Sequence, residues 1–567
     1  MTQESNRRET PDIALVFALA TFASLLSFLY YLRQGDLLLY GDAVAHINIA
    51  RKTFDSQTPG LLQLGTVWLP LPHVLMVPFL ISNFMWITGI GGSVPSMVAY
   101  IFLLVGIFRL VGSGLSRYPD FVHVSNLAAW TATAIVGLNP NLLYLQATAM
   151  TEVLYLCFFV WSVVYFEEFI TETLASEREV SKQARSSLGK CTACLAAAEW
   201  TRYDGWFLAV VVLVSAIAVL HRFRHLKGIL RLAARSLFIV SIPPLIWLIY
   251  NAAVYRNPLE FVNGPYSARA IEQRTATVEG AAVHPGSNQP GMAALYFTKS
   301  VELNMAEGWI ERIWIFLLVI GAIICAGSSR GLRPILILLT PLPFYALSVS
   351  YSGVPVFVPP WWPFSYYNVR YGIQLLPAIA AMTAVVMSVA CEFRKGRWIR
   401  LVIIAVIVAI TGSSYAGVWK NQPVCFREAF VNSRSRFAME GELAKNLKLL
   451  PDQSTFLMYL GDHVGALQSA GIELKRVIHE GNHRPWFKPS DPQGLWEKTL
   501  ADPGSAVDYV VSFDGDPVDR KVNRAGLSLK WVVQTPGQST ARVWATRRVV
   551  QSDVSMDRET APVCPKS

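Results

Sequence analysis

Residues 12–46 read DIALVFALATFASLLSFLYYLRQGDLLLYGDAVAH. The opening apolar run, about 20 residues, is long enough to cross a hydrocarbon core as a helix. It ends at Arg33-Gln34-Gly35-Asp36 with no small-x-small cleavage pattern before that polar stretch, which favours an uncleaved anchor over a secretory leader. Asp42 and His46 come directly behind it, four residues apart on one face of a short amphipathic helix. A membrane span followed at once by ionisable groups sets the reading of the remaining chain.

Ten further apolar windows recur at 94–114, 122–140, 150–170, 187–202, 205–222, 229–253, 311–328, 332–350, 368–391 and 398–417, giving eleven expected spans. Residues 67–88 are also apolar, but Pro70, Pro72 and Pro78 remove backbone donors close together, so this stretch is expected to be a juxtamembrane or re-entrant element. Of 567 residues only 16% are charged and mean hydropathy is +0.37. That composition excludes disorder and an ordinary soluble enzyme. Residues 1–419 hold 51 Asp, Glu, Lys and Arg, whereas 420–567 hold 37, a density twice as high. The expected architecture is a polytopic α-helical membrane domain, 1–419, with a C-terminal soluble α/β domain, 420–567. In that tail "STFLMYL", "VDYVVSF" and "ARVWATRRVV" read as strands and "SRFAMEGELAKNLKLL" as an amphipathic helix.

The net charge of +10 does not point to nucleic acid, because no basic run is interleaved with stacking aromatics. Seventeen Lys and Arg fall instead in the short loops 109–117, 171–190, 221–235, 330–333 and 394–400, and Arg7 and Arg8 precede the first span. These loops and the N-terminus are therefore expected on the cytoplasmic face of an inner (plasma) membrane. The longer loops 33–66 and 254–310, and the C-terminal domain, are then extracytoplasmic.

Several ionisable groups gather on that outer face, and groups at a membrane edge are costly enough to ask for a role. Asp42 is placed to act as a general base or to cap its helix. Glu152, in "AMTEV", opens the fourth span, where the helix dipole favours an acid. The hairpin "AAEWTRYDGW" carries Glu199, Arg202 and Asp204, and "VRYG" carries Arg370 and Tyr371 at the start of the tenth span. Arginines so placed grip phosphate in a bidentate way, or pair with neighbouring acids as Arg202 is able to with Glu199 or Asp204. The loop 254–310 adds Arg269 and Arg274 and has the length of a functional cover or of a plain connection. "CTAC" at 191–194 has only the spacing of a metal or redox pair and sits in an apolar helix, where small packing residues are the simpler reading. Cys425 and Cys564 bracket the outer domain, so a disulfide between them is expected.

Taken together, "YGDAVAH", "VWLPLPH", "AMTEV", "TRYDGW" and "VRYG", with an extracytoplasmic C-terminal domain, resemble the GT-C superfamily of membrane glycosyltransferases, in particular the protein O-mannosyltransferases and lipid A aminoarabinose transferases. The resemblance covers most of residues 1–417. It implies inverting transfer of a sugar from a polyprenyl-phosphate donor to an extracytoplasmic protein, lipid or glycan, with Asp42 as general base and Glu152 beside it. It also implies that His46, His73, Arg202, Asp204, Arg269, Arg274, Arg370 and Tyr371 bind substrate. His73 closes the proline-rich stretch where the aminoarabinose transferases carry a lysine. Glu152 stands without a DxD partner, so no cofactor is expected and a divalent metal is disfavoured. The expected partners are the polyprenyl-phosphate sugar, membrane lipids and the acceptor, with no nucleic acid. A transporter or flippase would instead place polar groups near the midplane between related halves, and a non-catalytic binding component would use the outer domain alone.

Overall fold

The computed structural model describes residues 2–176, 179–222, 228–270, 284–328, 332–351, 353–393, 396–482 and 493–549. The apolar windows are largely helical; 332–350 and 368–391 each join a 3-10 segment (Arg333–Leu339, Val369–Leu375) to an α-helix (Pro341–Tyr351, Leu376–Phe393). Eight helical segments among the described residues are long and apolar enough to cross a membrane. The windows at 122–140, 187–202 and 205–222 form the helices Val122–Gly137, Lys182–Thr201 and Asp204–Arg222, which are shorter or more polar. The proline-rich stretch forms the short helix Leu71–Leu80, whose 10 residues rise roughly 15 Å, half of a hydrocarbon core.

The last apolar helix, Arg397–Lys420, turns at 421–423 into Val424–Leu447, which leads to a five-stranded sheet. The strands are β1 (Phe456–Met458), β2 (Val477–Ile478), β3 (Tyr509–Phe513), β4 (Ser528–Val533) and β5 (Ala541–Ala545), in the order β2-β1-β3-β5-β4. β1 pairs in parallel with β2 and β3, while β5 runs antiparallel to β3 and β4. Side chains alternate across the sheet: Phe456, Met458, Tyr509, Val511 and Phe513 face the main core, and Leu457 and Val510 face a smaller cluster around Trp496 and Val507. Every residue of β3 is buried, as a central strand covered on both faces requires.

The main core is continuous from the membrane helices through Val424, Cys425 and Met439 into the sheet. The helix Val424–Leu447 thus packs on membrane helices and on the sheet region at once. The amphipathic pattern at 435–450 captures only its second half.

Candidate active site

Four local features bring distant segments to one place on the sheet side of the bundle. Asn139 caps the helix Pro140–Gln146, accepting from the backbone of Asn141 and Leu142, with Pro140 at the first helical position. This fixes the turn that leads into Glu152–Leu174. At Gly92 a Cβ would lie 2.6 Å from both Ala149 Cβ and Ile47 Cγ1, so only glycine lets the helix Gly41–Lys52 close on that turn. Arg202 breaks the helix with extended backbone (φ −150°, ψ 152°) before a new helix begins at Asp204. Asn368 takes a left-handed conformation (φ 55°), which asparagine tolerates, and starts the 3-10 turn Val369–Leu375.

The outcome is a network of two guanidiniums and four carboxylates. Arg370 donates from Nη2 to Asp42 Oδ2 at 2.5 Å, from Nη1 to Glu428 Oε1 at 2.6 Å and from Nε to Glu152 Oε1 at 3.3 Å. Arg202 donates from Nη1 to the same Glu152 oxygen and to Thr151 Oγ1, both at 3.1 Å, and its Nε lies 3.3 Å from Asp204 Oδ2. Tyr345 links Arg202 to Asp204, accepting at 3.1 Å and donating at 2.6 Å. Both guanidinium carbons lie 5.1 Å from the centroid of the Tyr371 ring, within cation–π range. The set has a formal excess of two negative charges. Both arginines are paired with carboxylates, so an incoming anion competes with acids already in place.

Asp42 is in the first turn of its helix but does not cap it: the cap position belongs to Tyr40. Its side chain keeps 41% of its exposure, against 1% for Glu152 and Glu428. With Glu152, Arg202, Asp204, Arg370 and Tyr371 it lines a cavity of about 2120 Å³. Ligand pockets commonly measure about 300–1,000 Å³, so this one has room for two substrates. Its walls come from membrane helices, from the segment 255–268, and from the sheet region through Arg436, Glu440, Tyr459, Asp462, Glu480 and Lys521.

His46 is buried rather than at the surface. It lines the cavity, lies tilted against Trp68 with ring centroids 4.8 Å apart and meets His73 Nε2 through Nδ1 at 2.9 Å. Burial, and then the charges of Arg202 and Arg370, push His46 down to about 3, so it is neutral at ordinary pH. His73 lies wholly buried behind it and is likewise pushed down by burial. This pair acts as a neutral hydrogen-bonded joint between Gly41–Lys52 and Leu71–Leu80. Lys52, also on the wall, is pushed down by burial and drawn back by Glu480.

Other expected positions fall elsewhere. Arg202 pairs with Asp204 and Glu152, not with Glu199, which is buried without contact to it. Arg269 is exposed beside the cavity-lining Ala268, and Arg274 lies outside the described residues. Cys425 is a buried free thiol with Sγ 3.2 Å from Asn304 Oδ1, and Cys564 lies outside the described residues. Among the described residues no three His, Cys, Asp or Glu converge as metal ligands do. Glu428, Tyr345 and Tyr40 escaped the sequence reading. Glu428 lies beyond the last apolar window, and the two tyrosines are indistinguishable by sequence from packing residues.

No protein-family profile and no curated protein matches this sequence. Among solved structures it is similar to ArnT from Cupriavidus metallidurans bound to undecaprenyl phosphate, with 13% identity, a TM-score of 0.52 and coverage of 94% of this chain and 98% of that one. The apo state of the same protein gives 13% identity, a TM-score of 0.51 and the same coverage. The oligosaccharyltransferase from Archaeoglobus fulgidus aligns at 11% identity and a TM-score of 0.45, covering 93% of this chain and 72% of that one. A polytopic helical domain followed by a small mixed sheet is the expected architecture, and the chain has the GT-C fold.

Proposed function

We propose that the chain is an inverting glycosyltransferase that moves a sugar from a polyprenyl-phosphate donor to an acceptor hydroxyl on the sheet side of the membrane. The observation that carries this reading is the Asp42–Arg370 pair on the wall of a cavity bounded by membrane helices and by the sheet region. In this reading the N-terminus is cytoplasmic and the sheet region extracytoplasmic, following the placement of Lys and Arg in short loops.

Asp42 takes the acceptor proton as the acceptor oxygen attacks the anomeric carbon. The bond from that carbon to the phosphate oxygen breaks, and its electron pair leaves with the phosphate, which goes from a monoanionic diester to a more highly charged monoester. Arg370 couples the two events. Protonation of Asp42 removes the charge that held Nη2, and the freed donor turns to the departing phosphate as its charge develops. Arg202, sharing Glu152 and flanking Tyr371, supplies a second donor. In this reading a divalent metal is disfavoured, and the positive charge that meets the phosphate comes from guanidinium donors released from carboxylate. The single displacement inverts the anomeric centre.

The test is release of polyprenyl phosphate from a panel of radiolabelled polyprenyl-phosphate sugars with a mixed extracytoplasmic acceptor extract. Asp42→Asn is expected to lower kcat about 10²–10⁴-fold, the usual worth of a general base. Absence of release from every donor by folded wild-type protein would overturn the proposal. Release unchanged in Asp42→Asn would move the base to Glu152.

A further inference from the structure

The helix Val424–Leu447 reaches the site at three levels. Near its start, Tyr40 Oη donates to the Cys425 carbonyl at 2.8 Å, and the Cys425 amide donates to Asn141 Oδ1 at 2.9 Å. One turn on, Glu428 Oε1 accepts from Arg370 Nη1 at 2.6 Å and from the Asn368 amide at 3.1 Å, while Oε2 accepts from the Arg370 amide at 3.1 Å. Two turns further, Arg436 donates from Nη2 to the Leu38 and Leu39 carbonyls, both at 2.9 Å. Leu38, Leu39 and Tyr40 immediately precede the helix that carries Asp42. Both halves of the Asp42–Arg370 contact are therefore held from one helix, which also packs against Leu460–Ala470 and β4 of the sheet region.

Glu428 is 1% exposed and is not part of the cavity wall. It cannot touch substrate in this arrangement, yet it fixes the side chain that does. A guanidinium is a flat fork, so seating Nη1 on Glu428 and Nε on Glu152 leaves Nη2 one direction, toward Asp42. The rings of Tyr40 and Tyr371, 5.0 and 5.1 Å from the guanidinium carbon, hold the fork's plane. We infer that Glu428 is the positioning residue for Arg370, through which the helix leading into the sheet region sets the geometry of the Asp42 contact. This rests on the proposed function for its kinetic readout.

Glu428 has an electrostatic role as well as a steric one. The charge of Arg370 is divided among Asp42, Glu152 and Glu428, with Arg202 and Asp204 next in line. Neutralising Glu428 leaves that charge to the remaining two carboxylates and leaves Nη1 without its buried ionised acceptor, so the fork loses the contact that sets its orientation.

The experiment compares wild-type full-length protein with Glu428→Gln. The expected result is a kcat lower by about 10²-fold, as for a misplaced catalytic group, with the donor KM nearly unchanged. In an Arg370→Lys background the same substitution should add little, because the two act as a unit. Unchanged kcat in folded Glu428→Gln protein, or a fully additive loss in the Arg370→Lys background, would overturn the inference. Should Glu428→Gln not fold, Glu428→Asp, whose shorter arm keeps the charge but loses the reach, is expected to lower kcat through the same loss of positioning. A cryo-EM structure of either variant gives a readout that needs no activity. Arg370 Nη2 turned away from Asp42 is the expected finding, and the contact retained overturns the inference. Failure of the wild type to use any donor would instead strike the proposed function and leave the structural readout standing.

Discussion

The helix Glu152–Leu174 carries buried acids at both ends, and the two ends treat them differently. At its start Glu152 offers one oxygen to two arginines that also serve other carboxylates. Fifteen residues on, roughly 22 Å along the axis, Glu167 and Glu168 each take a single arginine, Arg117 and Arg109. The helix dipole favours an acid at the first end; Glu167 lies about two turns before the other end, beyond the dipole's reach, and it is burial that calls for a cation there. There Arg109 also lies over the rings of Trp161 and Tyr165, a packing contact of an anchoring kind. One-to-one pairing fixes a helix end. Shared pairing leaves each guanidinium with alternatives, which is the condition for exchanging a carboxylate for a phosphate.

Three substitutions break or sharpen this contrast. Glu152→Gln removes the acceptor common to Arg202 and Arg370 and should lower kcat about 10²-fold with a smaller change in stability, read as polyprenyl phosphate release alongside a thermal melt. Equal loss in both measurements would place Glu152 with the anchoring acids. Arg117→Ala should do the reverse: leaving Glu167, 1% exposed, without its cation costs about 3–5 kcal/mol of stability, while turnover per folded molecule holds. A change in KM or kcat there would mean that the two ends communicate. Arg109→Ala is the smallest effect. Arg109 is 40% exposed and Glu168 keeps access to solvent, so the loss is about 1 kcal/mol or less, within what a melt at low and high salt resolves.

The membrane helices were legible because hydrocarbon thickness imposes a length, and the prolines at 70, 72 and 78 break that length in plain view. β1, β3 and β5 were legible as apolar runs, whereas β2 has only two residues and β4, SLKWVV, exposes most of its side chains as an edge strand does. Asp42, Glu152, Arg202, Asp204, Arg370 and Tyr371 stood out because charge at a window's end is conspicuous. Their convergence was not written locally. It depends on Gly92 at a close approach and on Asn368 in a left-handed turn, neither of which advertises its partner. Glu428 was invisible for a related reason: it is one acid among many in a polar stretch, and it meets Arg370 from 58 residues away in the chain.

The size of the cavity has a consequence for wasted chemistry. A volume of about 2120 Å³ is well above the roughly 300–1,000 Å³ of ordinary ligand pockets and leaves room for many solvent molecules beside a bound ligand. Water is itself a nucleophile, and a base that deprotonates an acceptor hydroxyl will deprotonate water beside it. Under the proposed function, an activated sugar in so large a chamber would be exposed to hydrolysis until something bulky drove solvent out. The acceptor would then have to be large enough to fill the space toward the sheet region, or bound before the donor. Fidelity in this site would rest on exclusion of solvent as much as on recognition of the sugar.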